Sequence, residues 1–511
     1  MQANQSGTPA SSLRSIQHLR GLAALMVVVY HASHYLAVYR GVPPLPRLSG
    51  LGLYGVSIFF AISGYLMATL VRRTGPFVFM AHRLVRIYPT FLIVVALYGA
   101  ISALLSRPFV LDWVALTLVP AGPRIYALDV EWTLLFEVSF YVALFLLSLA
   151  GWTARLERAA AAWLGLIVLG ALAFPAWQGD LTPPIERLPL LEACTGFAAG
   201  LLVPAALRSG RVPRWSAPAG VVAALVLIFL DFGHDRLIAG LLAAVIVAGA
   251  IRIDRGLPGA RVDPLKTLGD WSYALYLCHV PTIRLAYELA PAGANAAALW
   301  LFAVAACLAA SAAIGTLDVW LYRRSKRFVD RRAAKPLRLA IATYVVLFAT
   351  VAVYGSIDTA AKARRAAQEQ AILARIPAAS LRNADAARAA IEAAGLKARD
   401  TLRGEVSEVQ RLESGILAVR GWLVDLAEPG RDLSVVVFHG GVQIASARPW
   451  RRRPDVARAL GRDELAGARI GFGLGTRPVR CEDAGEAVIL GLDPAGGVAV
   501  LPGRTAITGC P

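Results

Sequence analysis

LRGLAALMVVVYHASHY, residues 19–35, is apolar enough to begin crossing a bilayer, yet it holds Arg20 near its start and His31 and His34 in its far half. Ionisable groups inside a membrane segment are costly to bury and normally face a bundle interior or a water-filled cavity. Arg20 and His31 are eleven residues apart, about three helical turns and about 16 Å of rise, so they share one helix face. The spacing sets a cation at the membrane boundary and an imidazole near mid-bilayer.

The rest of the chain has the same character. Its 511 residues are 57% hydrophobic, with a mean hydropathy of +0.57, values that belong to a membrane protein. About 20 apolar residues cross the roughly 30 Å hydrocarbon core, and such runs recur at 19–38, 51–71, 88–106, 131–149, 160–177, 190–207, 217–232, 235–251, 270–289, 297–322 and 337–357. The pair 217–232 and 235–251 is joined only by FGHD. The polar lead MQANQSGTPASSLRS has no cleavage pattern behind it and reads as retained sequence.

The net charge of +18 does not point to nucleic acid, because the basic residues crowd into short loops beside apolar runs. Arg72, Arg73, Arg83 and Arg86, then Arg155 and Arg158, Arg208, Arg211 and Arg214, Arg252 to Lys266, and RRSKRFVDRRAAKPLR at 323–338 alternate with loops of few positive charges. The alternation predicts an all-α polytopic protein of about eleven transmembrane helices, with a cytoplasmic N-terminus and a periplasmic C-terminus.

After the last span, SIDTAAKARRAAQEQAILARI opens an Ala-rich helical linker or stalk over 358–403. From 404 the pattern changes to short β-type runs broken by glycine and proline, including ILAVRGWLVD, LSVVVFHGG and EAVILGLD. A small β-sandwich or barrel over 404–511 is expected. It has no G-x-S-x-G elbow and no metal cluster, and its Cys481 and Cys510 would suit a disulfide in an oxidising compartment.

Further polar groups fall inside the apolar runs. LGDWSYALYLCH, residues 268–279, carries His279 about 15 Å into its span, a depth similar to that of His31. EWTLLFEVSFY brings Glu137 into the fourth span, with Glu131 expected as a cap or surface carboxylate. Ser63 and Gly64 offer a hydroxyl and a close helix approach. Arg72, Arg73, Arg83 and Arg86 collect near one face, and guanidinium forks match phosphate. Pro89 is expected just inside the start of the next helix.

RGLAALMVVVYH, FFAISGYLM, HRLVRIYPTF, WTLLFEVSFY and LGDWSYALYLCH follow one another in an order and spacing that resemble the membrane-bound acyltransferase type 3 family over about residues 14–322. That family includes sugar O-acetyltransferases of bacterial lipopolysaccharide. The resemblance implies an inner-membrane acyltransferase (EC 2.3.1.-) with no tightly bound cofactor and no metal. It would use acyl-CoA, usually acetyl-CoA, from the cytoplasm and modify a hydroxyl of a glycan in or beyond the bilayer. The family's essential arginine and histidine fall on Arg20 and His31, its serine-glycine motif on Ser63 and Gly64, its basic-proline motif on Arg83, Arg86 and Pro89, its glutamate on Glu137 and its late histidine on His279. His82 stands where the family often has arginine. A family subset carries an SGNH-type domain after an eleventh span, whereas this tail lacks that nucleophile. It reads as noncatalytic, for glycan or an envelope protein partner through 404–511.

The expected roles are His31, or else His279, as general base, Glu137 orienting or electrostatically tuning a histidine, Arg20, Arg83 and Arg86 on donor phosphates, and Ser63 as an oxyanion donor. Two other classes stand beside this one: a proton-coupled or acyl-group transporter, and a noncatalytic scaffold for polysaccharide assembly.

Overall fold

The structure is a computed structural model describing residues 14–40, 49–107, 109–228, 230, 233–254, 263–291, 293–411, 416–479 and 486–509. Cys481 and Cys510, and with them the expected disulfide, lie outside the described residues. The chain divides into two compact units, Met1–Thr359 and Ala360–Pro511.

Among the described residues, the first unit is built on eleven helices: α1 (Arg14–Arg40), α2 (Ser49–Arg73), α3 (Pro76–Leu104), α4 (Trp132–Leu149), α5 (Leu156–Ala173), α6 (Thr195–Arg208), α7 (Ser216–Leu227), α8 (Asp235–Asp254), α9 (Pro264–Leu289), α10 (Ala296–Asp330) and α11 (Ala334–Leu373). Eight are long and apolar enough to cross a membrane, namely α1 to α5, α8, α10 and α11. Leu169, Leu172, Leu301, Phe302, Leu339 and Val346 are exposed on α5, α10 and α11, which suits contact with lipid. This is a multi-pass membrane protein.

The expected count of eleven spans is met by eight helices of that kind. α6 and α7 have only 14 and 12 residues, about 21 and 18 Å long. α9 is long, with 26 residues, but much of it is enclosed, including Gly269, Ser272, Ala274 to Pro281, Ile283 and Tyr287. A helix shielded by its neighbours need not be apolar all round, so hydropathy under-reads it.

Local chemistry sets the helix starts. Asp263 caps α9 by accepting from the Lys266 N–H at 3.0 Å, with Pro264 in the first turn. That hydrogen bond and one with His18 hold the Asp263 carboxyl below the usual carboxylate range. In α3 it is Pro76, after Gly75, that occupies the first turn, while Pro89 lies in the helix interior. The expectation for Pro89 is thus corrected. The sequence reading began this span twelve residues late, because the amphipathic stretch 76–87 is packed inside the bundle and is only moderately apolar.

Small residues decide which helices meet. A Cβ on Gly269 would lie 2.0 Å from the Gln17 carbonyl oxygen, and one on Gly21 2.8 Å from that of Leu265. α1 and α9 therefore touch backbone to backbone. Successive contacts run the same way along both, from His18 with Asp263 to Arg40 with the carbonyls of Tyr287 and Ala290, so the two helices are parallel. Gly64 of α2 and Gly200 of α6 make a similar approach, each Cβ position lying within 2.3 Å of the other helix's backbone oxygen.

In the second unit, β1 (Leu402–Arg411), β2 (Ile416–Asp425), β3 (Ser434–His439), β4 (Val442–Ala447), β5 (Arg451–Arg452), β6 (Arg469–Pro478), β7 (Val488–Leu492) and β8 (Val498–Val500) form two antiparallel four-stranded sheets. Their orders are β1-β2-β6-β5 and β4-β3-β7-β8. Val435, Val437 and Ile489 pack toward the first sheet, whereas Val436, Phe438, Val488 and Leu490 point the other way. That other face is covered by Leu373, Ile376, Leu381, and Ala387 and Ile391 of α12 (Ala384–Ala393). The second half of the expected linker is thus a packed layer, since its sparse Leu and Ile share one face. A short α13 (Pro454–Ala459) completes the unit.

The glycine contact is testable. Gly269→Val forces α1 and α9 apart, at about 1–3 kcal/mol by the usual cost of overpacking. Thermal unfolding of the detergent-solubilised protein should shift down by several degrees, whereas Gly165→Ala, at an open site, should leave it unchanged.

Candidate active site

The parallel contact of α1 and α9 carries the two histidines together. His31 follows Gly21 by ten residues and His279 follows Gly269 by ten, so in parallel helices the two imidazoles stand at matching depth, about 15 Å beyond the glycines. His279 Nε2 lies 3.1 Å from His31 Nδ1. His279 Nδ1 sits 2.7 Å from the Tyr276 carbonyl oxygen and 3.2 Å from that of Leu275. A carbonyl only accepts, so His279 carries its proton on Nδ1 and presents Nε2 as an acceptor. His31 Nδ1 lies 3.0 Å from the Val27 carbonyl oxygen and so faces two acceptors. The His31 proton therefore belongs on Nδ1, which leaves the lone pair on Nε2. His31 lines a cavity of ≈ 480 Å³ together with Tyr30, Tyr54, Asp129, Trp132, Asp235 and Arg236.

A second cavity, of ≈ 140 Å³, lies nearer the start of α1 and has another chemistry. Arg20, Arg83 and Arg86 line it, with Ser63, Glu137 and Tyr141. The two cavities share Val56, Phe60 and Tyr276 as lining residues. All the residues expected at the site line one of these cavities except His279, which lines neither and touches His31.

Glu137 lies apart from the histidines. Its Oε1 accepts from Ser63 Oγ at 3.1 Å and from the hydroxyl of Tyr141, one turn along α4. The expectation that Glu137 orients a histidine is corrected: the orienting groups are the Tyr276 and Val27 carbonyls and the neighbouring ring. Arg86 Nη1 lies 2.9 and 2.7 Å from the two oxygens of Asp318, and its guanidinium sits over the rings of Tyr273 and Tyr322. Thr90 Oγ1 also donates to Asp318, at 2.7 Å. Arg83 lies over the Tyr141 ring, 5.9 Å from its centroid, and its buried Nε has no hydrogen-bond partner.

The arginine group near the membrane face divides. Arg72 turns to Glu157 at 2.5 Å, and neither it nor Arg73 lines the cavity. His82 pairs with Asp330 at 2.7 Å and also stays outside. Glu131 is neither at the surface nor a side-chain cap. It is buried, and its carboxylate accepts from the Leu128 and Val130 N–H groups at 2.8 and 3.1 Å, closing the turn before α4. His34 is exposed and lines neither cavity.

Asp318, Thr90 and Tyr141 escaped the sequence reading. The signal for Asp318 was present as a lone acid in the apolar run 297–322; Tyr141 stands four residues after Glu137 within the same motif.

With this geometry, comparison with known proteins is decisive. The family model described as "Acyltransferase domain", Acyl_transf_3, matches residues 13–316. The chain belongs to the acyltransferase 3 family. It is 26% identical over 345 residues to acyltransferase MdmB of Streptomyces mycarofaciens, covering 58% of this chain and 86% of that one. It is 28% identical over 312 residues to a Komagataeibacter xylinus protein named provisionally as membrane-bound transacylase BcsY, covering 55% and 75%. It is 29% identical over 255 residues to exopolysaccharide production protein ExoZ of Rhizobium meliloti (strain 1021), covering 46% and 78%. No solved structure matches at a significant level. This membrane acyltransferase thus keeps its family character within the first unit, where both cavities lie.

Asp318 is 1% exposed, so removing it leaves the Arg86 guanidinium uncompensated. Breaking a buried pair in this way costs about 3–5 kcal/mol. Asp318→Ala should sharply lower the monodisperse peak in size-exclusion chromatography, and Asp318→Asn, which keeps one acceptor oxygen for Arg86 and Thr90, should lower it less.

Proposed function

We propose that this acyltransferase moves an acetyl group from cytoplasmic acetyl-CoA to a hydroxyl of a cell-surface glycan. The observation that carries the reading is the meeting of a cavity bearing three arginines with one holding a histidine whose Nε2 is free to take a proton, across the shared residues Val56, Phe60 and Tyr276. Guanidinium groups suit the phosphates of a nucleotide thioester. A neutral imidazole suits proton abstraction near neutrality. The printed name of ExoZ, an exopolysaccharide production protein, supports a polysaccharide as acceptor.

In this reading the chain crosses the inner membrane eleven times, counting α6, α7 and α9, with the N-terminus cytoplasmic and the tail periplasmic. The loop charges support that orientation. Arg20, Arg83 and Arg86 hold the donor, Arg86 being fixed by Asp318. His31 Nε2 takes the proton of the acceptor hydroxyl as its oxygen attacks the thioester carbonyl. The C–S bond then breaks, and the departing thiolate takes the proton from His31 to leave as free coenzyme A. The His31 imidazolium formed in between is stabilised by the Val27 carbonyl and the His279 lone pair. Ser63, beside Glu137, turns its hydroxyl to the developing oxyanion. The tail is noncatalytic and engages glycan or an envelope partner.

Protein reconstituted in nanodiscs with radiolabelled acetyl-CoA and surface glycans tests this. His31→Ala should lower kcat by about 10² to 10⁴, the usual worth of a positioned base, while the protein still binds acetyl-CoA. Arg83→Gln should mainly raise KM for acetyl-CoA. Equal product from His31→Ala would remove its assigned role, and solute flux without donor in proteoliposomes would favour a transporter.

A further inference from the structure

The cavity on the His31 side has a composition that the donor does not explain. Tyr30, Tyr54 and Trp132 supply aromatic groups, while Asp129, Asp235 and Arg236 supply polar ones. The charges are of mixed sign. Asp129 accepts from Arg284 Nη1 at 2.6 Å, and the Arg236 guanidinium stands over the Trp132 ring, 5.7 Å from its centroid. The arginine cavity, by contrast, sets three guanidinium groups against the single carboxylate of Glu137. One site is built for an anion and the other is not.

We infer that this second cavity is the acceptor subsite and that it takes uncharged pyranose rings of a glycan, read by the aromatic faces of Trp132 and Tyr30 and by the carboxylates of Asp129 and Asp235. The inference rests on the acyl-transfer reading above and adds the site and class of its acceptor. Three observations support it. First, His31, whose free Nε2 would take the hydroxyl proton, belongs to this cavity and not to the other. Second, the ≈ 480 Å³ of this cavity falls within the roughly 300–1,000 Å³ typical of a ligand pocket, enough to seat sugar rings beside His31. Third, Asp129 has a left-handed backbone, φ 62°, a conformation uncommon outside glycine, and its carboxylate is tied to Arg284, so its direction is set before ligand arrives. A sugar presents hydroxyls to such carboxylates and C–H faces to aromatic rings. A uronate would instead bring its own carboxylate toward Asp129 and Asp235, with Arg236 as the one Arg or Lys lining the cavity among the described residues.

The test uses the full-length protein in nanodiscs. Cellotetraose and maltotetraose are the neutral probes and tetragalacturonate the anionic one. Carbethoxylation of His31 by diethyl pyrocarbonate, followed by peptide mass spectrometry, reads occupancy without turnover; acetyl transfer from radiolabelled acetyl-CoA reads catalysis. At least one neutral probe should slow His31 modification several-fold, while tetragalacturonate should not. Trp132→Ala and Asp235→Asn should raise KM for that acceptor about tenfold or abolish the protection, with acetyl-CoA affinity unchanged; Trp132→Phe should retain most of both. Preferential protection by tetragalacturonate, protection unaltered in Trp132→Ala and Asp235→Asn, or protection by neither neutral probe would overturn the inference. Failure of the wild-type protein to bind acetyl-CoA would instead overturn the acyl-transfer reading itself, so the two failures are separable.

Discussion

Everything at the site depends on α1 and α9 touching through their backbones. Inside a bilayer there is little hydrophobic gain from bringing helices together, since lipid tails are as apolar as leucine; close packing must supply the attraction instead. Gly21 and Gly269 permit that approach, and no side chain larger than hydrogen fits at 269 without displacing the Gln17 carbonyl. Because the helices are parallel and both histidines follow their glycines by the same interval, the two rings stand at one depth. The pair then fixes its own tautomers: carbonyls accept from Nδ1 of His279, whose Nε2 accepts from Nδ1 of His31, and the far nitrogen of His31 is left bare. Among the described residues no carboxylate hydrogen-bonds to either ring.

The charged groups follow a second logic. Three guanidiniums around one cavity would repel each other unless countercharges stood behind them, and here the countercharges have distinct places. Asp318 stands behind Arg86, away from the cavity, with Thr90 satisfying one of its oxygens. Glu137 faces the cavity but is held by the hydroxyls of Ser63 and Tyr141. Arg83 retains a buried Nε with no partner, an unmet donor that a phosphate oxygen would satisfy. The other cavity has no such excess of one sign. Two substrates of different charge can therefore be kept apart until the shared residues Val56, Phe60 and Tyr276, where their reacting atoms would meet.

Much of this was legible in the sequence because membrane burial makes polar residues conspicuous. Arg20, His31, Glu137 and His279 stood out as expensive groups in apolar runs, and all lie in the bundle at or beside the cavities. What was missed was missed for physical reasons. Glu131 looks like an interfacial carboxylate, but two backbone N–H groups donate to it in a buried turn, a partner set that no linear pattern displays. The start of α3 was misplaced because hydropathy measures affinity for lipid, and its first turns face protein. α9 falls below the lipid threshold for the same reason. Glu137 was paired with the wrong partners because depth along a helix can be counted from sequence, whereas the direction in which neighbouring helices face cannot.

The second unit shows the same limit from the opposite side. SVVVFH and VILGL, residues 434–439 and 488–492, are apolar at successive positions instead of alternating, which marks strands buried on both faces. Such strands require a cover beyond the opposing sheet, and the Ala-rich run expected as a stalk carries the sparse Leu and Ile that provide it. Its Leu373, Ile376, Leu381 and Ile391 supply that cover. The run is helical because alanine favours helix, but it is placed by the strands' need for a second apolar layer. The family match ends at residue 316, inside α10, so this self-contained core is an addition to a catalytic bundle that already holds both cavities. Its sheets are held by apolar side chains with their own cover. Among the described residues, neither cavity nor the histidine pair draws a side chain from it.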